Sequence, residues 1–193
     1  PRRLHGSHRG AFAVPLVEGQ QRADIHIGDA VAIGETKGLF ILHIIGDAPE
    51  AAAGKRLVTG IHQGLLTDLS AALAAFDAAM TALNVASGVT TFTLSEFGRT
   101  WKPASNRGTD HGWGGYAFAL GGAVRGGNFY GTVPTQALDG PDDLGKDGRW
   151  IPTTSIDQYA ATLVRWLGIA EADLPYVLPN LGAFAVKDLG FMA

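Results

Sequence analysis

The sequence contains no cysteine, so disulfides, thiolate metal sites and a cysteine nucleophile are all excluded. It also has no apolar run of the roughly 18 residues that a bilayer-spanning helix requires. Basic residues show no surplus, because 15 Lys and Arg are set against 18 Asp and Glu, a formal charge of −3. Nucleic-acid-binding proteins usually carry such a surplus. We therefore expect no membrane span and no nucleic-acid partner.

The N-terminal residues do not match the pattern of an export signal. Arg2 and Arg3 resemble the start of a twin-arginine signal, but no apolar segment follows them. We interpret them as a basic, solvated end and expect no signal peptide in this sequence. The 193 residues, 46% of them hydrophobic, are sufficient for the core of one domain.

The hydrophobic pattern predicts an α/β arrangement. Apolar runs predict strands at Ala30–Ile33 and Leu39–Ile45, and a β-branched run predicts a buried strand at Val89–Leu94. Between them, apolar residues at three- and four-residue steps predict an amphipathic helix over Leu65–Leu83. A helix followed directly by a strand is typical of an α/β unit.

The second half of the chain is predicted to add short elements. Strands are expected at Tyr116–Leu120 and Asn128–Tyr130, separated by a glycine-rich turn. Thr154 or Ser155 is expected to cap a helix over Ile156–Leu167 that Gly168 ends. The four tryptophans are interpreted as packing anchors rather than a sugar platform: Trp101, Trp113, Trp150 and Trp166.

The residues after Leu94 are the first place to look for chemistry, because ligands of open α/β sheets bind outside the carboxyl ends of strands. Carboxylate and imidazole groups there suit a divalent cation, either zinc, manganese, magnesium or calcium. A bound cation would polarise a phosphoryl or sulfuryl oxygen, and an arginine would clamp the anionic substrate. The predicted metal ligands are Glu96, Asp110 and His111, and the predicted catalytic residues are Arg99 and Thr109.

A purely structural interpretation of the same residues stays open. Asp110 would cap a turn with His111 hydrogen-bonded locally, and Glu96 with Arg99 would form an ordinary ion pair. Neighbouring side chains of an extended segment point to opposite faces, so Asp110 and His111 serve one metal only if their loop is bent.

Several motifs in order resemble one bacterial family, the domain-of-unknown-function family numbered 1501. The resemblance covers about residues 62–185 and implies a metal-dependent fold shared with alkaline phosphatases, sulfatases and cofactor-independent phosphoglycerate mutases. It also implies a periplasmic or exported location, since members usually leave by the twin-arginine route. The motifs are Thr91–Thr100, Gly108–Gly115, Leu120–Gly127, Arg149–Ala161 and Pro179–Gly182.

The implied fold class is α/β: a partial alkaline-phosphatase-like sandwich with a central, mostly parallel sheet flanked by helices. Residues 61–193 would be the C-terminal part of this domain, and residues 1–60 an unassigned N-terminal segment. In the wider superfamily, a strand ends in Ser/Ala-Asp-His-Gly, whose Asp and His bind metal. Either Asp110-His111 matches that pair, or Ser95–Gly98 does, with Glu96 replacing the Asp and Phe97 the His. The second alignment is preferred, because Glu96 directly follows the convincing strand, and it predicts an altered or weakened site.

Two departures from the family matter for function. Its Gly-Phe-Asp-Thr-His stretch has no counterpart upstream of the long helix, and residues 1–60 do not resemble the half that brings the nucleophile. We therefore expect a metal-dependent hydrolase-like protein of the phosphatase or sulfatase type, acting on a small anionic ester. The alternatives are a non-catalytic remnant or binding module, and one half of a split assembly whose partner chain supplies the missing half.

Overall fold

The computed structural model describes residues 22–32, 38–47, 57–103 and 109–193, and it is of mixed α/β class. Short single-turn 3₁₀ segments lie at Ala86–Gly88 and Leu181–Ala183. None of the described helices is long and apolar enough to cross a bilayer. In chain order the elements are β1 (Arg22–Ala32), β2 (Gly38–Asp47), α1 (Leu57–Ala82), β3 (Val89–Thr93), β4 (Ala119–Gly121), α2 (Ile156–Leu167) and α3 (Leu174–Val177).

The four strands form one sheet in the order β1-β2-β3-β4. The β2–β3 pairing is parallel, with Gly38 opposite Val89 and Leu42 opposite Thr93, and α1 is the crossover that parallel strands require. The β1–β2 and β3–β4 pairings are antiparallel. The prediction of a mostly parallel sheet is therefore wrong for the described strands. Only five residues, 33–37, separate β1 from β2, too few for a parallel connection.

The strand predictions hold where the apolar run is continuous. Those at Leu39–Ile45 and Val89–Leu94 are confirmed within a residue or two as β2 and β3. The predicted Ala30–Ile33 strand is the end of the longer β1, and Ile33 lies outside the described residues. Of Tyr116–Leu120, only the last two residues belong to β4.

The prediction of a strand at Asn128–Tyr130 is wrong, because a bend lies at Gly127 and Asn128 and the next two residues form no strand. Gly127, with a φ of 78°, starts the segment outside the extended region. The Tyr130 hydroxyl then donates back to the Arg125 carbonyl at 2.6 Å. This local hydrogen bond closes a loop where an extended strand was expected.

Helix α1 begins eight residues before the predicted start at Leu65. The additional turns include Gly60 and Gly64, which the helix tolerates because a glycine in its interior costs only about 1 kcal/mol. Its apolar face is half-buried rather than buried at Leu69, Leu73 and Met80. Leu83, just beyond the helix, is 66% exposed.

Helix α2 is confirmed over its full predicted length, and Ser155 is its cap. The Ser155 hydroxyl accepts from Asp157 N at 3.1 Å, while the Gln158 side chain accepts from Ser155 N at 2.8 Å. This reciprocal capping box satisfies two orphan donors of the first turn. Gly168 ends the helix in the left-handed conformation, with a φ of 102°.

The main core lies between β3, β4, α2 and the last residues of the chain. Arg125 N donates to Phe191 O and Ala193 N to Ala123 O, both at 2.8 Å, so residues 191–193 pair with the turn after β4. The Tyr159 hydroxyl of α2 bridges the carbonyls of Thr93 and Phe118, at 3.3 and 3.2 Å. The buried members are Phe92, Ala119, Val124, Leu163, Trp166, Leu167, Phe191 and Met192.

Candidate functional site

The loop that leaves β3 returns as a short two-stranded arm, residues 98–100 paired with residues 110–113, which we call the paired arm. Thr100 N donates to Asp110 O at 3.1 Å, Gly112 N to Gly98 O at 2.7 Å and Gly98 N to Trp113 O at 3.0 Å. Arg99 and His111 are antiparallel bridge partners at its centre. The segment carrying Asp110 and His111 is therefore extended rather than bent.

The paired arm brings three of the predicted site residues together. The guanidinium of Arg99 donates to the Thr109 carbonyl at 3.3 Å, and its Cζ lies 5.3 Å from the centre of the Phe97 ring. The imidazole of His111 packs against the same ring, with centroids 4.1 Å apart. Asp110, next to His111 in an extended segment, is expected to project to the opposite face. Arg99 and His111 thus make a stack around Phe97.

Glu96 is exposed, and none of the ion pairs in the described part of the chain joins it to Arg99. Across residues 22–32, 38–47, 57–103 and 109–193, no three His, Asp or Glu residues are grouped so that they could hold a metal ion. The described donors therefore do not by themselves fit a metal. The ligand set of Glu96, Asp110 and His111 stays a prediction.

The glycines of the paired arm allow backbone to pack on backbone. A Cβ on Gly98 would lie 1.8 Å from the Gly114 carbonyl oxygen, and one on Gly114 would lie 2.7 Å from the Trp150 oxygen. Gly114 N also donates to that Trp150 oxygen at 2.8 Å. Three chain segments are thus stacked at a spacing that a side chain would prevent.

The third of these segments is held in place by Asp143. Its carboxylate accepts from the backbone N–H groups of Asp139, Gly148 and Arg149, at 2.9 to 3.0 Å. Partial burial raises the pKa of Asp143, but these backbone donors outweigh it and hold that pKa below its ordinary value. Arg149 Nε then donates to the His111 carbonyl at 3.2 Å, which ties this segment to the paired arm.

A cavity of about 660 Å³ opens beside the paired arm, at the C-terminal end of β3 and the start of α2. Its volume lies within the range of small-molecule sites. Glu96 and Trp113 line it, whereas Arg99, Thr109, Asp110 and His111 do not. The aromatic lining residues are Phe97, Trp113, Tyr116, Phe118, Phe129, Tyr130, Trp150, Tyr159, Phe184 and Phe191.

Glu96 is the one charged residue among the described residues that line the cavity. Burial raises the pKa of Tyr116 and of Tyr159, so both phenols stay neutral at physiological pH. Most neutral polar side chains of the lining already have intramolecular partners. These are Ser95 with Phe97 O, Asn128 with Gly126 O, Thr153 with Thr132 O, Ser155 with Asp157, Gln158 with Val186 O, and Tyr116 with Gln136.

A family model described as "Protein of unknown function (DUF1501)" matches residues 58–171, more than half of the chain. The chain belongs to the DUF1501 family. The match includes most of α1, the paired arm and most of the cavity lining. No curated protein and no solved structure matches the chain.

The site residues that sequence reasoning missed are aromatic. Trp150 and Trp166 are 3% and 7% exposed, which confirms them as packing anchors. Trp113 is 55% exposed and lines the cavity of this DUF1501 chain, so that interpretation is wrong for Trp113. Phe129 is 64% exposed on the same lining. The local sequence could have indicated this exposure. Trp113 and Phe129 both lie among glycines, which have no side chains to cover an aromatic ring.

Proposed function

We propose that the described residues serve as a ligand-binding module, with the ligand held in the aromatic cavity at the end of β3. The observation that supports this is the low charge of the lining, in which Glu96 is the one charged side chain among the described residues. A cavity of this volume whose walls are largely apolar and aromatic is typical of a small-molecule site.

The same lining favours a neutral or cationic ligand over an anionic ester. Recognition of phosphate or sulfate normally uses arginine, lysine or free backbone N–H groups. In the cavity an ester anion would instead meet the Glu96 carboxylate and the faces of aromatic rings, both of which repel negative charge. Arg99, predicted to clamp the substrate, is tied to the Thr109 carbonyl outside the cavity.

Ligand-observed NMR with a mixture of small neutral, cationic and anionic probes tests this proposal. Ala117 is exposed and lines the cavity, so Ala117→Trp should fill it and abolish binding of the neutral and cationic probes. Ala170 is exposed and lies outside the lining, so Ala170→Trp should leave binding intact. Probe binding that survives Ala117→Trp, or preference for anionic probes, would reject the proposal.

A second candidate is the metal-dependent hydrolase that the family resemblance predicts. The position of Glu96 favours it, since this carboxylate follows β3 at the sheet edge where ligands of α/β proteins bind. A divalent cation there would supply a Lewis acid. Metal analysis of the purified protein, with turnover of nitrophenyl phosphate and nitrophenyl sulfate, tests this. Absence of turnover after reconstitution, together with unchanged metal content in Asp110→Ala and His111→Ala, would reject it.

Kinship with alkaline phosphatases and sulfatases is part of the same proposal, as is export from the cytoplasm. The β2-α1-β3 crossover supports the kinship, since it is the βαβ unit that such folds repeat. A partner chain that completes the domain would be detected as a hetero-assembly in light scattering of the protein purified from its source. A well-folded, monomeric and ligand-binding species would argue against that partner.

A further inference from the structure

Among the described residues, the cavity lining combines exposed aromatic side chains with one carboxylate. Trp113 and Phe129 are 55% and 64% exposed, and both line the cavity that Glu96 also lines. Gly98 N donates to Trp113 O at 3.0 Å. The backbone of Trp113 is therefore held opposite Gly98, which follows Glu96 by two residues. Exposure of two large aromatic side chains costs hydrophobic free energy, and a ligand that covers them recovers it.

From this arrangement, and resting on the proposed function, we infer that the cavity binds an organic ammonium cation. The negative faces of the aromatic rings attract a cation, and Trp is the most favourable ring for this. Glu96 supplies a full negative charge, and none of the described lining residues carries a compensating positive charge. Alkylated ammonium groups suit such a site because they are weakly hydrated and have apolar surface.

A sugar would also stack on Trp113, but the hydrogen-bonding groups favour the cation. A carbohydrate needs several donors and acceptors, and most of those in the lining are already committed within the protein. Ser155 and Gln158 form the α2 capping box, and the Tyr159 hydroxyl bridges two carbonyls. An ammonium cation without N–H or O–H groups at its centre needs no such partners. Apart from the Trp150 indole N–H, which has no hydrogen-bond partner, charge and ring faces are the main features that the described lining offers to a ligand.

Titration calorimetry with choline and its neutral isostere 3,3-dimethylbutan-1-ol tests the inference on the full chain. The two probes have the same shape and differ in charge, so the cavity should bind choline at least about tenfold more tightly. Glu96→Gln should lower choline affinity about tenfold and leave the neutral isostere unchanged. Trp113→Ala should lower it severalfold, and Trp113→Phe should restore part of that loss because a ring face returns.

Asp68→Asn, in α1, is the matched control for Glu96→Gln. It removes the same charge from an exposed carboxylate that does not line the cavity, so choline affinity should stay within about twofold. An equal loss in both variants would mean that net charge, not the cavity, attracts choline, and would overturn the inference.

The failure of the inference and the failure of the proposed function are distinguishable. Equal affinity for choline and its isostere, both lost in Ala117→Trp, would overturn the cation preference and keep the ligand-binding cavity. Tighter binding of methyl glucoside than of choline would replace the cation by a carbohydrate. Absence of binding by every probe, or binding that Ala117→Trp leaves unchanged, would overturn both.

Discussion

The paired arm and the cavity begin at the same loop, yet the arm carries charged side chains and the cavity is lined mainly by aromatic ones. The arm carries Arg99, Asp110 and His111 on two extended segments whose backbones are packed tightly together. The cavity has aromatic walls, and Glu96 is the single carboxylate among the lining residues that the structure describes. Residues a few positions apart in the chain are thus divided between a charged, solvated region and an apolar recess. The difference shows that chain proximity to a strand end does not by itself place charged groups in one site.

Backbone packing explains this division. Because Gly98 and Gly114 let the arm stack on the segment of Trp150, the arm becomes a wall of the cavity rather than a loop folded over it. Its charged side chains then remain outside, on the solvent side of that wall.

The largest expected effect comes from breaking the wall with Gly98→Ala. The added Cβ would lie 1.8 Å from the Gly114 oxygen, a backbone atom that cannot move without displacing its neighbours. We expect the free energy of unfolding to fall by about 3 kcal/mol, the upper part of the range for overpacking. Gly182→Ala is the control, since its Cβ meets nothing within 4 Å. Chemical denaturation measures both, and equal stability of the two variants would contradict the stacked arrangement.

The second-largest effect is expected from the hydrogen bonds that join α2 to the end of β3. Tyr159→Phe removes a hydroxyl that donates to the Thr93 and Phe118 carbonyls, and should cost about 1–2 kcal/mol. Burial raises the pKa of Tyr159 in the folded protein. Tyr159 therefore contributes its full stabilisation of the folded state below about pH 10, where an unfolded tyrosine is also neutral. This stabilisation is lost as the pH rises further, because the unfolded tyrosine ionises first.

Denaturation at pH 8 and at pH 10.5 separates the two consequences of Tyr159→Phe. The stability difference between variant and wild type should shrink at the higher pH. A difference that grows with pH would show that Tyr159 ionises more easily when folded, contrary to its burial.

A smaller effect is expected from Ser155→Ala, which tests whether a polar cavity residue is committed to structure. Loss of the cap should lower the free energy of unfolding by about 1 kcal/mol. Choline affinity should not change, because the Ser155 hydroxyl already accepts from Asp157 N. A loss of affinity larger than the loss of stability would instead make Ser155 a ligand contact.

The smallest effect is expected on the arm itself. His111→Ala removes one ring contact with Phe97 from an exposed position and should change stability by about 0.5 kcal/mol or less. Thermal unfolding with and without added zinc provides the measurement. A large stabilisation by zinc that this variant abolishes would indicate a metal site that includes His111. It would contradict the division between the paired arm and the cavity.

Sequence reasoning succeeded where local chemistry decides the structure. Thr154 or Ser155 as cap and Gly168 as stop predicted the bounds of α2, and the structure selects Ser155. Continuous apolar runs predicted β2 and β3. It failed where a distant segment decides. The antiparallel pairing of β4 with β3 and the bend at residues 127–128 depend on contacts that the local sequence pattern does not reveal.

The candidate site was only partly predictable for the same reason. Glu96 was placed at the strand end, and it does line the cavity. Asp110 and His111 were predicted metal ligands that could serve one metal only if their loop were bent. The glycines instead bring backbones together, and Trp113 is exposed as a result of that geometry. Only the partner segment near Trp150, distant in the chain, distinguishes these outcomes.

Pairing of residues 191–193 with the turn after β4 has a consequence for biosynthesis. Phe191 belongs both to the main core and to the cavity lining, and Met192 bridges Val124. While the ribosome still covers these residues, β3, β4 and α2 have no lid over their shared apolar surface. Nascent chains would therefore emerge with an exposed apolar groove that is prone to aggregation. The groove is covered only once residues 191–193 have left the ribosome.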